Sequence, residues 1–144
     1  LPDCSNMCHE SSGAALSSTV GIGKGTVKLD DFEKAQVILI LGQNPGTNHP
    51  RMLTALQKAK RAGAKIVAIN PLKEAGLLGF KNPQHLGGML GFSTSLADHY
   101  LQVRINGDMP LLRGIMKLLI EKGALDQAFI NDKTEGFQNL IESL

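Results

Sequence analysis

The stretch AQVILILGQNPGTNHP, residues 35–50, contains the strongest fold signal in the sequence. Its first part, Ala35 to Leu41, is dominated by apolar residues, several of them β-branched, which predicts a strand buried on both faces of a parallel sheet. At Gly42 the composition changes to a polar turn rich in Gly, Asn and Pro. We therefore predict that the chain leaves a buried strand at Gly42 through a turn whose backbone is exposed.

The residues that follow this turn predict a helix and a second strand. Pro50 suits a first helical turn, and apolar residues then recur at helical spacing until Gly63: Met52, Leu53, Leu56 and Ala59. The run KIVAI, Lys65 to Ile69, is a second buried strand, closed by Asn70 and Pro71. Together these elements form a βαβ unit.

The remaining elements are predicted in the same way. The Gly-rich segment from Leu72 to Ser95 is a loop with a short helix that lies over a ligand or another domain. His99 to Ile105 is a third strand, and the apolar spacing from Leu111 to Ile120 predicts an amphipathic helix, followed by two short helices at 124–132 and 136–143. Residues 1–144 are thus expected to form one domain, a three-layer, Rossmann-like α/β fold with a small, mostly parallel sheet.

Composition limits the classes of partner and location. The 144 residues are 42% hydrophobic and carry a formal net charge of +2, and aromatic residues make up 4% of them, so a nucleic-acid partner is not expected. No run approaches the roughly 20 apolar residues that cross a bilayer, so no membrane segment is predicted and a soluble, cytoplasmic protein is expected. Because the sequence starts at Leu1 with no Met, we expect a fragment of a longer protein.

Polar residues follow each predicted strand, in GQNPGTNHP, NPLKEAG and NGD. In open α/β sheets, ligands bind beyond the carboxyl ends of the strands. The exposed backbone, amides and carboxylates of these turns suit an anionic ligand that carries a base. Any single turn of this kind is more often an ordinary connection, but three together favour a binding edge.

The segment CSNMCHE contains both cysteines of the chain, Cys4 and Cys8, and His9. Its spacing fits neither a zinc tetrad nor a haem attachment, and two cysteines four residues apart would add little as a disulfide. Three interpretations of Cys8 and His9 stay open on spacing alone: an inert cysteine beside an exposed histidine, a catalytic thiolate, or a soft ligand for a transition metal. The sequence GIGKGT, residues 21–26, lacks the spacing of a phosphate loop and is interpreted as a flexible turn.

Five stretches in this order resemble the central part of molybdopterin-dependent oxidoreductases of the dimethyl sulfoxide reductase family, most closely the formate dehydrogenase alpha subunit. They are CSNMCHESSG, LGQNPGTNHPRM, GAKIVAINP, VRINGDMPLL and AFINDKTEGF. The resemblance implies an oxidoreductase in which Cys8 is the molybdenum ligand and His9 handles a proton, with Cys4 as a structural neighbour. Formate or a similar small molecule is the implied substrate.

The resemblance also implies a cofactor of two molybdopterin guanine dinucleotides with molybdenum. The residues it assigns to pyrophosphate or pterin are Gly42, Gln43, Asn44, Pro45 and His49. Asn70, Pro71 and Lys73 would lie near the ribose and guanine, and Asp108 would pair with the guanine edge. Relatives commonly have Asp-Pro-Arg where this chain has Asn70, Pro71 and Leu72, so contacts there are expected to be weaker or to come from Lys73.

The resemblance leaves out two regions of such enzymes. The amino-terminal region, which often holds an iron-sulfur cluster, and the carboxyl-terminal domain lie outside this chain, so the fragment alone is expected to be inactive and to need the remaining domains of the parent enzyme. The alternative is a stand-alone Rossmann-like nucleotide-binding or regulatory module in which the Cys-His pair is incidental.

Overall fold

A computed structural model describes residues 10–84 and 86–144. Three strands form one parallel sheet in the order β1-β2-β3: Val37–Leu41, Lys65–Ile69 and His99–Leu101. The helices in the described part are α1 Glu10–Val20, α2 Pro45–Asn48, α3 Pro50–Arg61, α4 Ala75–Leu78, α5 Leu86–Met89, α6 Asp108–Glu121, α7 Gln127–Lys133 and α8 Phe137–Ser143, with a 3₁₀-helix at Leu29–Lys34. The α/β class and the parallel sheet are confirmed.

The core lies between one face of the sheet and α3. Because the apolar residues of α3 recur at helical spacing, they form one stripe that packs on the strands, while Lys58 and Arg61 lie on the exposed side. Residues from the segment between β2 and β3 complete the core. The buried side chains of this cluster are Ile40, Leu53, Leu56, Ile66, Ala68, Leu77 and Leu96.

The opposite face of the sheet is largely exposed in the described part of the chain. Because side chains alternate along a strand, Val37, Leu39 and Leu41 lie on the face opposite Ile38 and Ile40. Val37 is 59% exposed and Leu39 is 44% exposed. The prediction that β1 is buried on both faces is therefore wrong within the described residues.

Strands β1 and β3 are shorter than predicted, because each is paired only along the length of the central strand β2. The ladder between β1 and β2 starts with Val37 opposite Lys65, so Ala35 and Gln36 precede it. The ladder between β2 and β3 ends with Ile69 opposite Leu101, so in the described part of the chain residues 102–105 have no strand to pair with. The strand over Lys65–Ile69 is confirmed residue for residue.

The segment from 72 to 95, predicted as a loop with a short helix, contains α4 and α5 and folds back on itself. Phe80 and Thr94 exchange backbone hydrogen bonds of 2.8 and 2.9 Å. A buried amide network fixes this turn against α3: Asn82 Nδ2 donates to Gln57 Oε1 at 2.8 Å, and Gln57 Nε2 donates to Thr94 Oγ1 at 2.9 Å. Both amides are therefore hydrogen-bonded, as burial of polar groups requires.

Candidate cofactor-binding edge

The turns after β1 and β2 leave the sheet at the same edge, because parallel strands share one carboxyl edge. Backbone hydrogen bonds tie each turn to the neighbouring strand. Gly42 N–H donates to the Ile69 carbonyl at 2.9 Å, and Asn70 N–H donates to the Leu101 carbonyl at 3.1 Å. The start of each turn is thereby fixed by the sheet.

The first turn begins at Gly42 with a left-handed backbone. Its φ is +63°, and nothing lies within 4 Å of where a Cβ would stand, so the turn depends on glycine for its conformation and leaves open space above it. Asn44 caps α2, its Oδ1 accepting from Thr47 N–H at 3.3 Å, and the buried Pro45 follows as the first helical residue. The turn therefore presents open backbone at Gly42 and a fixed amide at Asn44.

A cavity of about 750 Å³ opens beside this turn. Gln43 and His49 line one side, with Gln43 Nε2 3.3 Å from His49 Nδ1, and Arg51 and Lys58 contribute cationic groups. The 3₁₀-helix lies opposite, where Glu33 Oε1 is 3.6 Å from Lys58 Nζ. Of the predicted site residues, Gln43 and His49 line this space, whereas the others are not among its lining residues: Gly42, Asn44, Pro45, Asn70, Pro71, Lys73 and Asp108.

The second turn, residues 70–74, is held by its own buried asparagine. Asn70 Nδ2 donates to Glu74 Oε1 at 3.3 Å, and Asn70 Oδ1 accepts from Leu72 N–H at 3.5 Å. These two contacts join the beginning of the turn to its middle and its end. Both the nitrogen and the oxygen of the Asn70 side-chain amide therefore form hydrogen bonds within the turn.

Side chains from β3 and the residue after it hold the same turn from outside. The Tyr100 hydroxyl accepts from Glu74 N–H at 3.2 Å and donates to the Leu72 carbonyl. Gln102 Nε2 donates to the Pro71 carbonyl at 2.8 Å. The backbone of residues 71–74 is thus anchored at three points.

Burial is the main influence on the titration of Tyr100. It raises the pKa of the Tyr100 phenol; the Glu74 N–H opposes this rise, and the Glu74 carboxylate adds to it. The phenol is therefore neutral across the physiological range, and it keeps the proton that it donates to Leu72.

Two glycines bring the two turns into contact. A Cβ on Gly76 would stand 3.0 Å from the Gly46 Cα, and a Cβ on Gly46 would stand 3.2 Å from the Gly76 Cα. Gly46 belongs to α2 and Gly76 to α4, so the helices that follow β1 and β2 touch backbone to backbone. The helices α2 and α4 therefore bring residues 42–49 next to the end of the second turn, on which Lys73 is exposed.

Asp108 follows the third strand and is the first residue of α6. It is half-buried. Its carboxylate has no hydrogen bond or ion pair with any residue in 10–84 or 86–144. Because β1 and β3 are the outer strands of a parallel sheet, Asn44 and Asp108 follow strands that end at the same edge.

Cys4, Cys8 and His9 lie outside the described residues, so their predicted roles are not tested by the structure. Within residues 10–84 and 86–144, no group of three or more His, Cys, Asp or Glu side chains is arranged to hold a metal ion. In the same part of the chain, no helix is long and apolar enough to cross a membrane.

Sequence reasoning missed the residues that hold the second turn. Tyr100 and Gln102 are two positions apart, so they lie on one side of the extended chain, and both reach the backbone of residues 71–74. The sequence signal for this contact was a tyrosine and a glutamine at alternate positions near the end of a strand, where their side chains can hydrogen-bond a neighbouring turn. Glu74 was not singled out because it is the last residue of the Pro-containing turn and is separated in sequence from the end of β2.

Comparison with known proteins identifies the family. The family model described as molybdopterin oxidoreductase matches residues 3–140. The chain belongs to the molybdopterin oxidoreductase family. This agrees with the resemblance seen in the sequence.

The relatives of this molybdopterin oxidoreductase chain are much longer proteins. It is 54% identical over 143 residues to an uncharacterized oxidoreductase of Mycobacterium bovis, covering 95% of this chain and 18% of that protein. It is 51% identical over 151 residues to protein YdeP of Escherichia coli K12, covering 97% and 20%. It is 30% identical over 142 residues to the F420-dependent formate dehydrogenase subunit alpha of Methanocaldococcus jannaschii, covering 99% and 19%. The chain thus spans about a fifth of the length of these relatives.

Proposed function

We propose that this chain is the dinucleotide-binding domain of a longer molybdenum oxidoreductase that acts on formate or a similar small molecule. The main support is that two polar turns follow parallel strands at one sheet edge, and that the helices after them, α2 and α4, touch through Gly46 and Gly76. The family match over residues 3–140 favours this interpretation over that of a stand-alone module. Formate is supported by the relative named as a formate dehydrogenase, at 30% identity.

The residues at the edge fit a guanine dinucleotide. The open backbone at Gly42 lets a diphosphate approach closely, Gln43 and His49 supply donors around it, and Lys73 is exposed on the second turn for the ribose and guanine. The carboxylate of Asp108 has no protein partner in the described residues, and it can accept from both N–H groups of a guanine edge. The buried Pro45 and Asn70 shape the turns.

The chemistry is divided between the cofactor and this chain. When bound, molybdopterin supplies the redox-active molybdenum. In our proposal, the Cys8 thiolate is a ligand of the metal and His9 accepts the proton that the substrate loses. The turns at residues 42–49 and 70–74 would hold the dinucleotide part of the cofactor.

Replacement of Cys8 tests the assignment of the metal ligand. In the complete polypeptide that carries these residues, Cys8→Ser offers a harder oxygen ligand, so the spectrum of the metal should change and turnover should fall by about 100-fold or more. The dinucleotides should stay bound because many other contacts hold them. Cys4→Ser is the matched control and should keep both spectrum and turnover.

The outcomes separate the interpretations of Cys8. If Cys8→Ser keeps the wild-type metal spectrum but loses turnover, Cys8 acts as a covalent nucleophile and not as a metal ligand. If Cys8→Ser keeps both the wild-type spectrum and the wild-type turnover, Cys8 and His9 have no role in metal binding or catalysis.

A further inference from the structure

The end of β2 is where dinucleotide-binding folds of this kind carry an acidic residue. That carboxylate accepts a hydrogen bond from the ribose 2′-hydroxyl. In this chain β2 ends at Ile69, and the next residue is the neutral Asn70. The position that follows the strand therefore lacks the expected charge.

The Asn70 side chain is used within the turn. Its Nδ2 donates to Glu74 Oε1 at 3.3 Å, and its Oδ1 accepts from Leu72 N–H at 3.5 Å. Asn70 is only 8% exposed, so little of it can meet a ligand. Its effect is to bring the Glu74 carboxylate back to the end of β2.

Glu74 is fixed at its backbone and available at its carboxylate. Its N–H donates to the Tyr100 hydroxyl at 3.2 Å, and its side chain does not cap α4. Glu74 is half-buried, and in residues 10–84 and 86–144 its Oε2 has no described hydrogen-bond partner or ion pair. One carboxylate oxygen is therefore held while the other is free to accept.

We propose that Glu74 accepts a hydrogen bond from the ribose 2′-hydroxyl of the guanosine, with Asn70 as its positioning residue. This inference rests on the proposed function. A carboxylate repels phosphate, so Glu74 suits the uncharged ribose and not the diphosphate. Asp108, beyond β3, remains for the guanine edge.

The experiment compares GDP with 2′-deoxy-GDP, using the cofactor-free form of the complete polypeptide. The wild type should bind GDP about tenfold more tightly than 2′-deoxy-GDP, because a charge-assisted hydrogen bond is lost. Glu74→Gln keeps the shape and the contact with Asn70, and it should weaken GDP binding by about fivefold while leaving 2′-deoxy-GDP binding unchanged. Glu121→Gln, at the exposed end of α6, is the matched control and should change neither affinity.

Asn70→Ala tests the positioning role. Like Glu74→Gln, it should reduce the preference for GDP over 2′-deoxy-GDP. The double variant should lose little more of this preference than Glu74→Gln alone, because both substitutions weaken the same hydrogen bond. Equal weakening of both nucleotides by Glu74→Gln, or an unchanged preference, would overturn the assignment of Glu74. Failure of the wild type to bind GDP at all would overturn the proposed function as well, so the two failures are distinguishable.

Discussion

The central βαβ unit and the carboxyl-terminal helices differ sharply in burial, although both have strong apolar patterns. Every buried hydrophobic residue of the described part lies between Ile40 and Leu96. In contrast, α6, α7 and α8 contain no buried residue. Leu56 of α3 is 0% exposed, whereas Leu119 of α6 is 41% exposed.

This contrast shows that an amphipathic pattern predicts a helix but not its burial. The apolar stripe of α3 lies on the sheet, so it is removed from water. The stripe of α6 is only half-buried within the described residues. We therefore expect the stability of the 144-residue chain to be concentrated in the unit that also carries the two polar turns.

The largest effect should come from removing a core side chain. Leu56→Ala should lower the free energy of unfolding by about 2–5 kcal/mol, because it leaves a cavity in the core. Leu119→Ala on α6 is the matched change and should cost less than about 1 kcal/mol. Urea unfolding of the 144-residue chain measures both, and equal losses would show that the two regions are buried alike.

A second pair exchanges glycine for alanine in the two regions. Gly76→Ala should cost about 1–3 kcal/mol, since the new Cβ would stand 3.0 Å from the Gly46 Cα and force the turns apart. Gly114→Ala in α6 meets nothing within 4 Å and should stabilise the chain by about 0.5–1 kcal/mol. The midpoint of thermal unfolding should therefore shift in opposite directions, and a shift in the same direction would contradict the close contact.

The smallest stability effect is expected from a pair of aspartate substitutions, one in each region. The backbone N–H of Ile66, 2.9 Å from Asp98 Oδ2, holds the pKa of the Asp98 carboxyl below its usual value, and Lys60 at 3.2 Å adds to this. A lowered pKa in the folded state contributes stability above the unfolded pKa of about 3.9, and that stability is lost as pH falls through the folded value. Asp98→Asn should therefore cost roughly 1 kcal/mol at neutral pH, after allowance for solvent screening.

The pH dependence and a control complete this test. The difference in unfolding free energy between wild type and Asp98→Asn should shrink progressively below about pH 4. Asp132→Asn in α7 removes an exposed pair with Lys133 and should have no measurable effect at any pH. A constant difference for Asp98→Asn from neutral pH to about pH 2 would rule out the linkage.

The elements that could be predicted from the sequence are those with a local signal. KIVAI and the apolar spacing after Pro50 predicted β2 and α3 correctly, because buried strands and helices have distinct periodicities. The amide network of Gln57, Asn82 and Thr94 could not be foreseen, since its partners are 25 and 37 residues apart. The same holds for the contact between the glycines of α2 and α4.

The candidate site was predicted in outline only. Turns after strands are visible in the sequence, so the polar turns could be predicted, whereas the roles of Gly42, Asn44 and Asn70 were implied by the family resemblance. That Asn70 turns inward to Glu74 could not, because the turn is held by Tyr100 from another strand. The assignments of Cys8 and His9 stay predictions, because these residues lie outside the described part.

The cofactor content of the complete polypeptide is the decisive measurement for the proposed dinucleotide-binding role. Acid hydrolysis of the purified protein releases GMP from a guanine dinucleotide, and molybdenum can be measured in the same sample. We expect two GMP for each molybdenum, and we expect Asp108→Ala to lower both without changing the thermal unfolding of the domain. Protein that carries neither GMP nor molybdenum after expression in a host that makes the cofactor would contradict the proposed dinucleotide-binding role.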